Sequence, residues 1–573
     1  MKWQSIDQLV RAIYHFVYRS KGRFYLYLAF FCSVLVVLDA TTLHLVAGMQ
    51  HRTFDLIMKN RITYQAADQG IVIVDIDEGS LEAMARDYGR WPWPRQIFAE
   101  FVEILQEQQP KAIVFDILFS DADVNNRDSD EYFNEVAAAT DNTFFPMLRL
   151  NPQNDELSQI TPAMIPGMSR ITGEQQQDKS LALILPHFPA VLESGRMGTN
   201  NIYPDTDGIV RQYSVFRTHY GWRIPSLPSR LGEVMGWTTP AEQDVLLNWR
   251  GRIGAFQTVR FSDVYEDFLS RKRKRPQDEF TGKVVIIGSS APSLFDTKPT
   301  PMERVHPGVE ILATAVDNIK NGDWITPLSS PLIYISVALG LIWLVALAFM
   351  TGINRSLIDG VFASSQVGLV VISYASVNLS TYFIDLTAPI TAGFVFFSLA
   401  RVYAYAESAL AERRIWLKLD GDADGWQYTF VAALLLKGKA SSESKMVTAL
   451  KRRLNARKEG FTVEAFPDKP AGIGRAYGDL LLIFYVDSEI VDKDQLEPTS
   501  RQQILALIEE EVSAVCGFSR DNIPLGFYQG VMPYGDDVSR VRAWRKLVTG
   551  AIHNLHDSEG GLVFDSSQAE IER

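Results

Sequence analysis

Cysteine is scarce in this sequence, and its scarcity excludes one means of stabilising the fold. Among the 573 residues there are only two cysteines, Cys32 and Cys516. Cys32 lies in a long apolar run near the amino terminus and Cys516 lies in the polar last third, so we expect no intrachain disulfide. Each folded domain must therefore be held together by its own hydrophobic core, which the size of the chain allows.

The sequence also lacks an excess of positive charge. Its 56 Lys and Arg residues are outnumbered by 68 Asp and Glu residues, which gives a formal net charge of −12. A protein that binds nucleic acid normally presents a basic surface to the phosphates. The charge balance therefore argues against a nucleic-acid partner.

Four stretches are nearly free of charged residues, one near the amino terminus and three close together further along the chain. Each is about as long as the roughly 20 apolar residues that cross a bilayer as a helix. Three such stretches separated by a handful of residues suit a membrane bundle better than a soluble core. We therefore predict four transmembrane helices in contact with membrane lipid, at 24–46, 331–350, 357–379 and 382–402.

The basic residues predict how the chain is oriented in the membrane. They precede the first stretch (Arg19, Lys21 and Arg23), lie between the second and third (Arg355) and follow the fourth (Arg413). Since basic residues beside short loops favour the cytoplasmic side, both termini are predicted to be cytoplasmic, in a bacterial cytoplasmic (inner) membrane. The predicted order is a cytoplasmic amino terminus (1–23), a transmembrane helix (24–46), an extracytoplasmic domain (47–326), three transmembrane helices (327–403), a linker helix and hinge (404–425) and a cytoplasmic domain (426–573).

Three aspartates, Asp39, Asp359 and Asp385, lie inside or at the edge of these stretches. Acidic residues within a membrane are candidates for function by default. Each of the three lies towards the end of its stretch, where water and headgroups reach, so a solvated role is the simpler interpretation.

The extracytoplasmic region has the pattern of an α/β domain. Continuous apolar runs at 71–77, 112–119 and 283–288 are typical of strands that are covered on both faces of a largely parallel sheet. Between the first two runs, residues 96–108 have apolar side chains at helical spacing. The sequence therefore predicts a strand–helix–strand unit at the start of the domain.

Several motifs follow one another through the same region. They are Asp-Ile-Asp at 75–77, Trp-Pro-Trp-Pro-Arg at 91–95, Asp-Thr-Asp-Gly at 205–208 with Arg211 after it, and Gly-Val-Glu at 308–310. This ordered set resembles the second type of CHASE domain, the cyclase- and histidine-kinase-associated sensory extracellular domain. The resemblance implies a sensor for an envelope ligand, and the family defines no general ligand. Such domains typically lie between one membrane helix and about three more, as predicted here.

Five residues of these motifs are candidates for ligand binding: Trp91, Trp93, Arg95, Asp207 and Arg211. Prolines fix the backbone φ beside the two tryptophans, so the rings would be held rigidly in the wall of a pocket. The alternatives are a packed corner and a simple turn. Buried tryptophans mostly pack, and the 205–208 segment lacks the downstream glutamate of a calcium loop.

Three carboxylates at or just past predicted strand ends, Asp75, Asp77 and Asp116, are candidates for binding a metal ion. Ligands of open α/β sheets bind in the crevice at the carboxyl ends of the strands. Clustered carboxylates suit a hard cation such as calcium. The alternative is that these residues cap helices and turns, as aspartates often do at such positions.

Residues 426–573 alternate strand and helix patterns, which predicts an α+β sandwich with helices packed on one sheet. The linker before this domain starts with strong helix formers and ends at an Asp- and Gly-rich hinge. The predicted strands are 428–436, 461–466, 479–486, 522–531 and 561–564, and the predicted helices are 442–454, 500–515 and 537–556.

Three local matches in this domain resemble the class III nucleotide cyclase catalytic domain: a Gly-Asp pair ending at Asp479, residues 523–530 and residues 541–547. Such cyclases hold two metal ions, Mg²⁺ or Mn²⁺, with two acidic residues, and Asp479 matches the second acid. The first acid would fall near Leu435, and leucine cannot ligate a metal ion. Lys546 stands where the family has an arginine. The resemblance therefore implies a cyclase fold that has lost part of its site, with Asp479 and Lys546 catalytic only if activity survives.

These observations lead to three hypotheses of function, and enzymatic activity is the less favoured outcome. The first is a transmembrane sensor or regulator whose extracytoplasmic domain detects an envelope cue. Its inactive cyclase-like domain would relay the signal as a homodimer, since cyclase sites form between two domains, or by binding a cytoplasmic protein. The second is an active adenylate or guanylate cyclase that uses Mg²⁺ or Mn²⁺, and the third is a membrane scaffold that does not signal.

Overall fold

The computed structural model describes residues 23–124, 126–171, 173, 175, 177, 179–328, 330–351, 355–417, 426–435, 443–465, 480–491, 501–518, 523–533 and 537–556. Contacts between residues divide the chain into two compact units. One is an α/β domain made of Leu45–Ser330 and Val370–Thr387. The other comprises the remaining membrane-helix segments and the carboxy-terminal domain, in Met1–His44, Pro331–Leu369 and Ala388–Arg573.

Helices and strands occupy most of the described residues. The helices are α1 (Arg23–Leu38), α2 (Ala47–Lys59), α3 (Glu78–Tyr88), α4 (Arg95–Glu107), α5 (Arg127–Ala139), α6 (Pro189–Glu193), α7 (Leu227–Met235), α8 (Phe261–Leu269), α9 (Gly308–Asn321), α10 (Pro331–Met350), α11 (Arg355–Leu379), α12 (Thr387–Leu417), α13 (Glu443–Arg457), α14 (Arg501–Cys516) and α15 (Asp537–His556). The strands are β1 (Ile71–Asp75), β2 (Ala112–Phe115), β3 (Thr143–Arg149), β4 (Ser169–Arg170), β5 (Leu183–Ile184), β6 (Met197–Thr199), β7 (Gln212–Ser214), β8 (Phe216–His219), β9 (Trp222–Pro225), β10 (Asp244–Leu246), β11 (Gln257–Arg260), β12 (Val284–Gly288), β13 (Thr297–Lys298), β14 (His306–Pro307), β15 (Thr326–Pro327), β16 (Tyr382–Phe383), β17 (Trp426–Leu435), β18 (Phe461–Ala465), β19 (Leu480–Val491) and β20 (Leu525–Pro533).

A largely parallel sheet forms the centre of the α/β domain. Its strands lie in the order β11-β1-β12-β2-β3, and β3 also pairs with β5 and β6. Ile71 of β1 is opposite Val284 of β12, which is opposite Ala112 of β2. The three strands predicted from continuous apolar runs are therefore confirmed. The predicted strand–helix–strand unit is also present, with β12 inserted between its two strands.

Both faces of the sheet are buried, which explains why its strands are apolar throughout. Val72 of β1 packs in one core with Phe98 of α4, whereas its neighbour Ile71 packs in a second core with Leu312 of α9. All four side chains are at most 1% exposed. Because successive strand residues point to opposite faces, a two-sided core requires every residue of the strand to be apolar. Burying each such side chain contributes about 1.5–3 kcal/mol.

The carboxyl end of α11 belongs to the α/β domain. Arg61, just after α2, donates a hydrogen bond to the carbonyl of Val377 at 2.9 Å, and the Tyr374 hydroxyl donates to the carbonyl of Asn60 at 2.5 Å. The chain then pairs β16 in parallel with β15. These bonds fix the end of α11 and the strand that follows it to the segment between α2 and β1 and to the end of the domain.

Four helices in the described part of the chain are long and apolar enough to cross a membrane. They are α1 with the π-helical turn that follows it, α10, α11 and α12, and they agree with the four predicted stretches and with a multi-pass membrane protein. Arg401 of α12 pairs with Asp359 of α11 at 3.0 Å. This aspartate at the edge of a predicted membrane stretch therefore has a basic partner on another helix.

The fourth membrane helix begins later than the sequence predicts. The stretch was expected from residue 382, but Tyr382–Phe383 is extended and α12 starts at Thr387. The Asp385 carboxylate accepts a hydrogen bond from the Thr387 N–H at 3.0 Å, which satisfies a donor at the helix start. Pro389 suits the first turn, where no N–H is needed. Apolar composition alone did not reveal this start.

The carboxy-terminal domain is an antiparallel sheet in the order β18-β19-β17-β20. The chain order is strand–helix–strand–strand–helix–strand, followed by α15. Leu450 of α13 and Ile508 of α14 pack on one face of the sheet, and Leu547 of α15 packs on the other. An α+β domain with helices packed on one sheet is thus present, and the helices cover both faces of that sheet. The predicted strand at 561–564 lies outside the described residues.

Two glycines of β20 allow α15 to approach the sheet closely. A Cβ atom at Gly526 would collide with the backbone carbonyl of Ala551 and lie 2.6 Å from the N atom of Leu555. A Cβ atom at Gly530 would lie 2.5 Å from Cδ2 of Leu547. The glycines at these two positions therefore set the distance between the helix and the strand.

Candidate functional site

Polar side chains meet at the carboxyl ends of β1, β12 and β2. Because these strands are parallel neighbours, the residues after them share one edge of the sheet. Asp75 ends β1, and its carboxylate accepts hydrogen bonds from the Ser290 N–H at 2.8 Å and from the Ser290 hydroxyl. Asp75 is buried, and burial raises the pKa of this carboxyl. This edge of the sheet therefore contains a carboxyl whose charged form is disfavoured by burial.

Asp116 follows β2 at the same edge. One of its carboxylate oxygens accepts a hydrogen bond from the Asn200 amide, whose own oxygen accepts from the Tyr213 hydroxyl at 3.0 Å. The other oxygen, Oδ2, is enclosed and has no hydrogen-bond partner among the described residues. Burial, reinforced by the nearby carboxyl of Asp296, raises the pKa of Asp116 well above its usual range.

Asp296 and Glu310 bring two further carboxyls to the start of α9. The Asp296 carbonyl accepts a hydrogen bond from the Gly308 N–H at 2.9 Å, and a Cβ atom at Gly308 would collide with the Asp296 carboxyl. The Glu310 carboxylate accepts from the Gly254 N–H at 3.0 Å. Burial raises the pKa of both acids. This end of α9 thus adds acidic groups whose neutral forms are favoured by burial.

Asp77 plays a different part from Asp75 and Asp116. Its carboxylate caps α3 by accepting from the Ser80 N–H at 2.7 Å, and it pairs with Arg260 at 2.8 Å. The aspartate cap that we considered as the alternative is therefore present at this position. Asp75, Asp77 and Asp116 do not converge as one set of metal ligands within the described residues. A metal ion at this edge stays a prediction.

The Trp-Pro-Trp-Pro-Arg motif forms a corner before α4. Trp93 is 1% exposed and packs against Phe261 with ring centroids 5.3 Å apart. Trp91 is only partly buried and meets Trp93 edge-on. The Arg95 guanidinium lies over the ring of Phe119 at 5.1 Å, and burial lowers the pKa of Arg95. Trp93 is therefore part of a packed corner, which was the alternative to a ligand pocket, whereas Trp91 and Arg95 remain accessible to a ligand.

Arg211 lies in a separate cluster with three carboxylates. Its side chain is 2% exposed and forms ion pairs with Asp55 at 2.7 Å, Asp205 at 2.8 Å and Asp207 at 2.7 Å. Burial opposes its charge, but hydrogen bonds to Asp207, Asp55 and Asp205 outweigh burial and raise the pKa of Arg211. The five hydrogen bonds to these acids match the five N–H donors of a guanidinium. Arg211 therefore has no N–H left for a ligand, and its visible role is to fix the 205–208 turn to α2.

The structure places only part of the predicted cyclase site. Lys546 lies on α15 with an exposed side chain, and Asp479 lies outside the described residues. Leu435 at the end of β17 is paired with Leu480 of β19. The position that would carry the first acid is therefore opposite the residue after Asp479, and it holds a leucine. Catalytic roles for Asp479 and Lys546 stay predictions.

The sequence patterns did not identify several residues of these two clusters as candidate site residues. Asn200 is 84 residues from Asp116, and Asp55 is 156 residues from Arg211. No local spacing connects residues so far apart, because only the folded sheet brings them together. Nothing near Asp296 in sequence indicates that its carboxyl would lie close to that of Asp116.

Comparison with known proteins adds one finding to this geometry. A family model described as CHASE2 domain matches residues 29–353. The match begins within α1 and ends after α10, so it covers more than half of the chain, including the carboxyls at the strand ends and the Arg211 cluster. No curated protein and no solved structure matches.

Proposed function

Since the chain belongs to the CHASE2 domain family, we propose that it is a transmembrane signal sensor. Its α/β domain, within residues 47–326, detects a cue outside the cell membrane. Four helices anchor it in a bacterial inner membrane with residues 1–23 and 404–573 in the cytoplasm. The support for this orientation is the excess of basic residues beside the proposed cytoplasmic ends.

The enclosed Oδ2 of Asp116 is the observation that carries a sensing role for the carboxyl edge of the sheet. A buried oxygen without a partner costs about 1–3 kcal/mol, so a domain that only packed would gain by pairing it or replacing it. Because the raised pKa favours the neutral carboxyl and Oδ1 already accepts from Asn200, Oδ2 carries the proton, and a ligand that offers a hydrogen-bond acceptor at this edge recovers that cost. Trp91 and Arg95, which remain partly accessible, supply an apolar surface and a positive charge in the same domain. The cue is then a molecule with a hydrogen-bond acceptor and an anionic or aromatic part.

The carboxy-terminal domain acts as a relay rather than as an enzyme in this proposal. Support comes from Leu435, whose side chain provides no metal ligand at the end of β17. Such a relay works through contacts, either in a homodimer or with a cytoplasmic protein. An active nucleotide cyclase dependent on Mg²⁺ or Mn²⁺ is the alternative, and Asp479 is the residue that it requires.

A cyclase assay distinguishes the two. Full-length protein in membranes is incubated with ATP or GTP in the presence of Mg²⁺ or Mn²⁺, beside the Asp479→Ala variant. The relay predicts no cyclic nucleotide above the level of the variant. Product that the substitution abolishes would make the protein an enzyme and refute the relay.

Two further measurements test how the relay works. The mass of the protein in detergent, measured by light scattering, is expected to be that of a dimer, and a strict monomer would count against dimerisation. A scaffold that does not signal is the remaining candidate. It would be favoured if an envelope protein captured by the full chain bound equally well after deletion of residues 404–573.

A further inference from the structure

A histidine and two aspartates of the α/β domain form a cluster between α2 and the 205–208 turn. One ligand atom each of His51, Asp205 and Asp207 lies within 4.8 Å of the other two. The turn is closed by a hydrogen bond of 2.8 Å from the Gly208 N–H to the Asp205 carbonyl. Within the described residues this is the one group of three His, Cys, Asp or Glu side chains so arranged.

Arg211 positions the two aspartates without neutralising the cluster. Asp55, Asp205 and Asp207 share its single positive charge, which leaves two negative charges among these four side chains. The Oδ2 atoms of Asp205 and Asp207 each accept one N–H of Arg211 and keep a second lone pair. The hydrogen bonds from Arg211 also lower the pKa of Asp207 to about 2, so this group is ionised at neutral pH.

We propose that His51, Asp205 and Asp207 bind a divalent transition-metal cation, with Zn²⁺ as the best fit. An imidazole nitrogen with two carboxylate oxygens is a ligand set that zinc accepts, and it leaves a fourth position for water. Calcium and magnesium prefer sets made of oxygen atoms alone. The mixed set therefore selects against the hard cations that the strand-end carboxylates would suit.

The distances require only a small adjustment. Ligand atoms of a tetrahedral zinc site lie about 3.4 Å apart when the metal–ligand bonds are about 2.0–2.2 Å long. The side chain of Asp207 is 41% exposed, and His51 is partly exposed. His51 can rotate towards a cation without disturbing a packed core, whereas Asp205 and Asp207 are both held by hydrogen bonds from Arg211.

Metal binding would join α2 to the turn by a second link. His51 and Asp55 are four residues apart on α2 and therefore lie on one face of the helix. Asp55 already reaches the turn through Arg211, and a cation at His51 adds a bond one helical turn earlier. Because α2 starts shortly after the first membrane segment, the cation would fix the part of the domain that follows this segment. The inference rests on these residues alone and not on the proposed sensing role.

Zinc titration of the full-length, tag-free protein in detergent tests the site. The protein is stripped with EDTA, dialysed and titrated with ZnCl₂ in competition with a fluorescent chelator. We expect one tight site per chain, and His51→Ala should weaken it at least tenfold, since losing even a residue behind a ligand costs about 10–100-fold. The control is His187→Ala, an exposed histidine outside the cluster, which should bind as the wild type does.

Equal zinc affinity in the wild type and in His51→Ala would overturn the inference, and so would tighter binding of Ca²⁺ than of Zn²⁺. Thermal unfolding in EDTA checks that the variant is folded, because it should then melt together with the wild type. If the variant does not fold, Co²⁺ bound to the wild type decides the matter. Visible absorption bands typical of four- or five-coordinate cobalt support the site, and their absence refutes it.

Discussion

Protonation of a single buried histidine is expected to make the α/β domain labile to acid. His306 is 2% exposed, its ring centroid is 5.1 Å from that of Trp249, and its Nδ1 atom is 3.2 Å from the Thr300 hydroxyl. Burial lowers the pKa of His306 to about 4, from an ordinary value of 6.5. Its Nε2 atom is 3.7 Å from a Glu310 oxygen, which is no ion pair while the imidazole is neutral.

The sign and size of the effect follow from linkage. Because the unfolded chain binds this proton more tightly, the stability is present above pH 6.5 and is lost as the pH falls towards 4. The full loss is about 3 kcal/mol, at about 1.4 kcal/mol for each unit of pKa, and about 2 kcal/mol of it falls between pH 7 and pH 5.

The buried acids act in the opposite direction in the same pH range. Asp75, Asp116, Asp296 and Glu310 have raised pKa values, so their contribution is present at low pH and is lost as the pH rises through those values. The wild-type curve therefore contains both effects. The contribution of the imidazole, together with any coupling to Glu310, is obtained from the difference in unfolding free energy between the wild type and a variant without the histidine.

The assay compares the wild type with His306→Asn, which retains a polar atom near Thr300. Full-length protein in detergent is unfolded in urea at pH 7, 6 and 5, and pulse proteolysis is read on peptides of the α/β domain. The variant should lose about 2 kcal/mol less than the wild type between pH 7 and 5. His187→Asn, at an exposed histidine, should follow the wild type. Parallel curves for the wild type and His306→Asn would refute the reasoning.

Five further substitutions, at four positions, test three other features by the same unfolding measurement. Arg211→Met leaves three carboxylates without their cation and should cost the α/β domain about 3 kcal/mol, whereas Arg211→Lys keeps the charge and should cost less. Asp116→Asn cannot ionise, so the domain should lose less stability than the wild type as the pH rises from 4 to 8. Gly526→Ala should destabilise the carboxy-terminal domain by about 1–3 kcal/mol, and more than Gly530→Ala, because it meets backbone atoms rather than the end of a leucine side chain.

Each of these expectations has an outcome that contradicts it. Equal stability of Arg211→Lys and Arg211→Met would show that the charge of Arg211 is unimportant. An unchanged pH dependence in Asp116→Asn would show that this carboxyl is not neutral in the fold. A larger cost for Gly530→Ala than for Gly526→Ala would show that α15 can move away from its close contact with β20.

Apolar patterns predicted most of the elements, because burial on one or both faces leaves a direct trace in the sequence. Residues 71–75 and 284–288 became strands for this reason, and α13 and α14 follow from apolar residues at helical spacing. The start predicted for α12, at residue 382, was wrong by five residues. The position of the helix start depends on a hydrogen bond from the Thr387 N–H to the Asp385 carboxylate, which a hydropathy pattern does not reveal.

The candidate site was less accessible to sequence reasoning. Strand ends placed Asp75 and Asp116 at one edge, since parallel neighbours end together. The order of the strands was not predicted, so the meeting of Asp116 with Asn200 and Asp296 was not either. Arg211 was chosen as a ligand residue from a motif, and only its hydrogen bonds show that it holds three carboxylates of its own chain.

The attachment of the carboxyl end of α11 to the α/β domain has a mechanical consequence. This helix has 25 residues and is about 37 Å long. Its last turns are bonded to the segment after α2 and belong to the α/β domain, whereas its first part belongs to the unit that contains α10 and α12. The two units therefore share one continuous helix, so a displacement of its carboxyl end is transmitted along the backbone hydrogen bonds of that same helix.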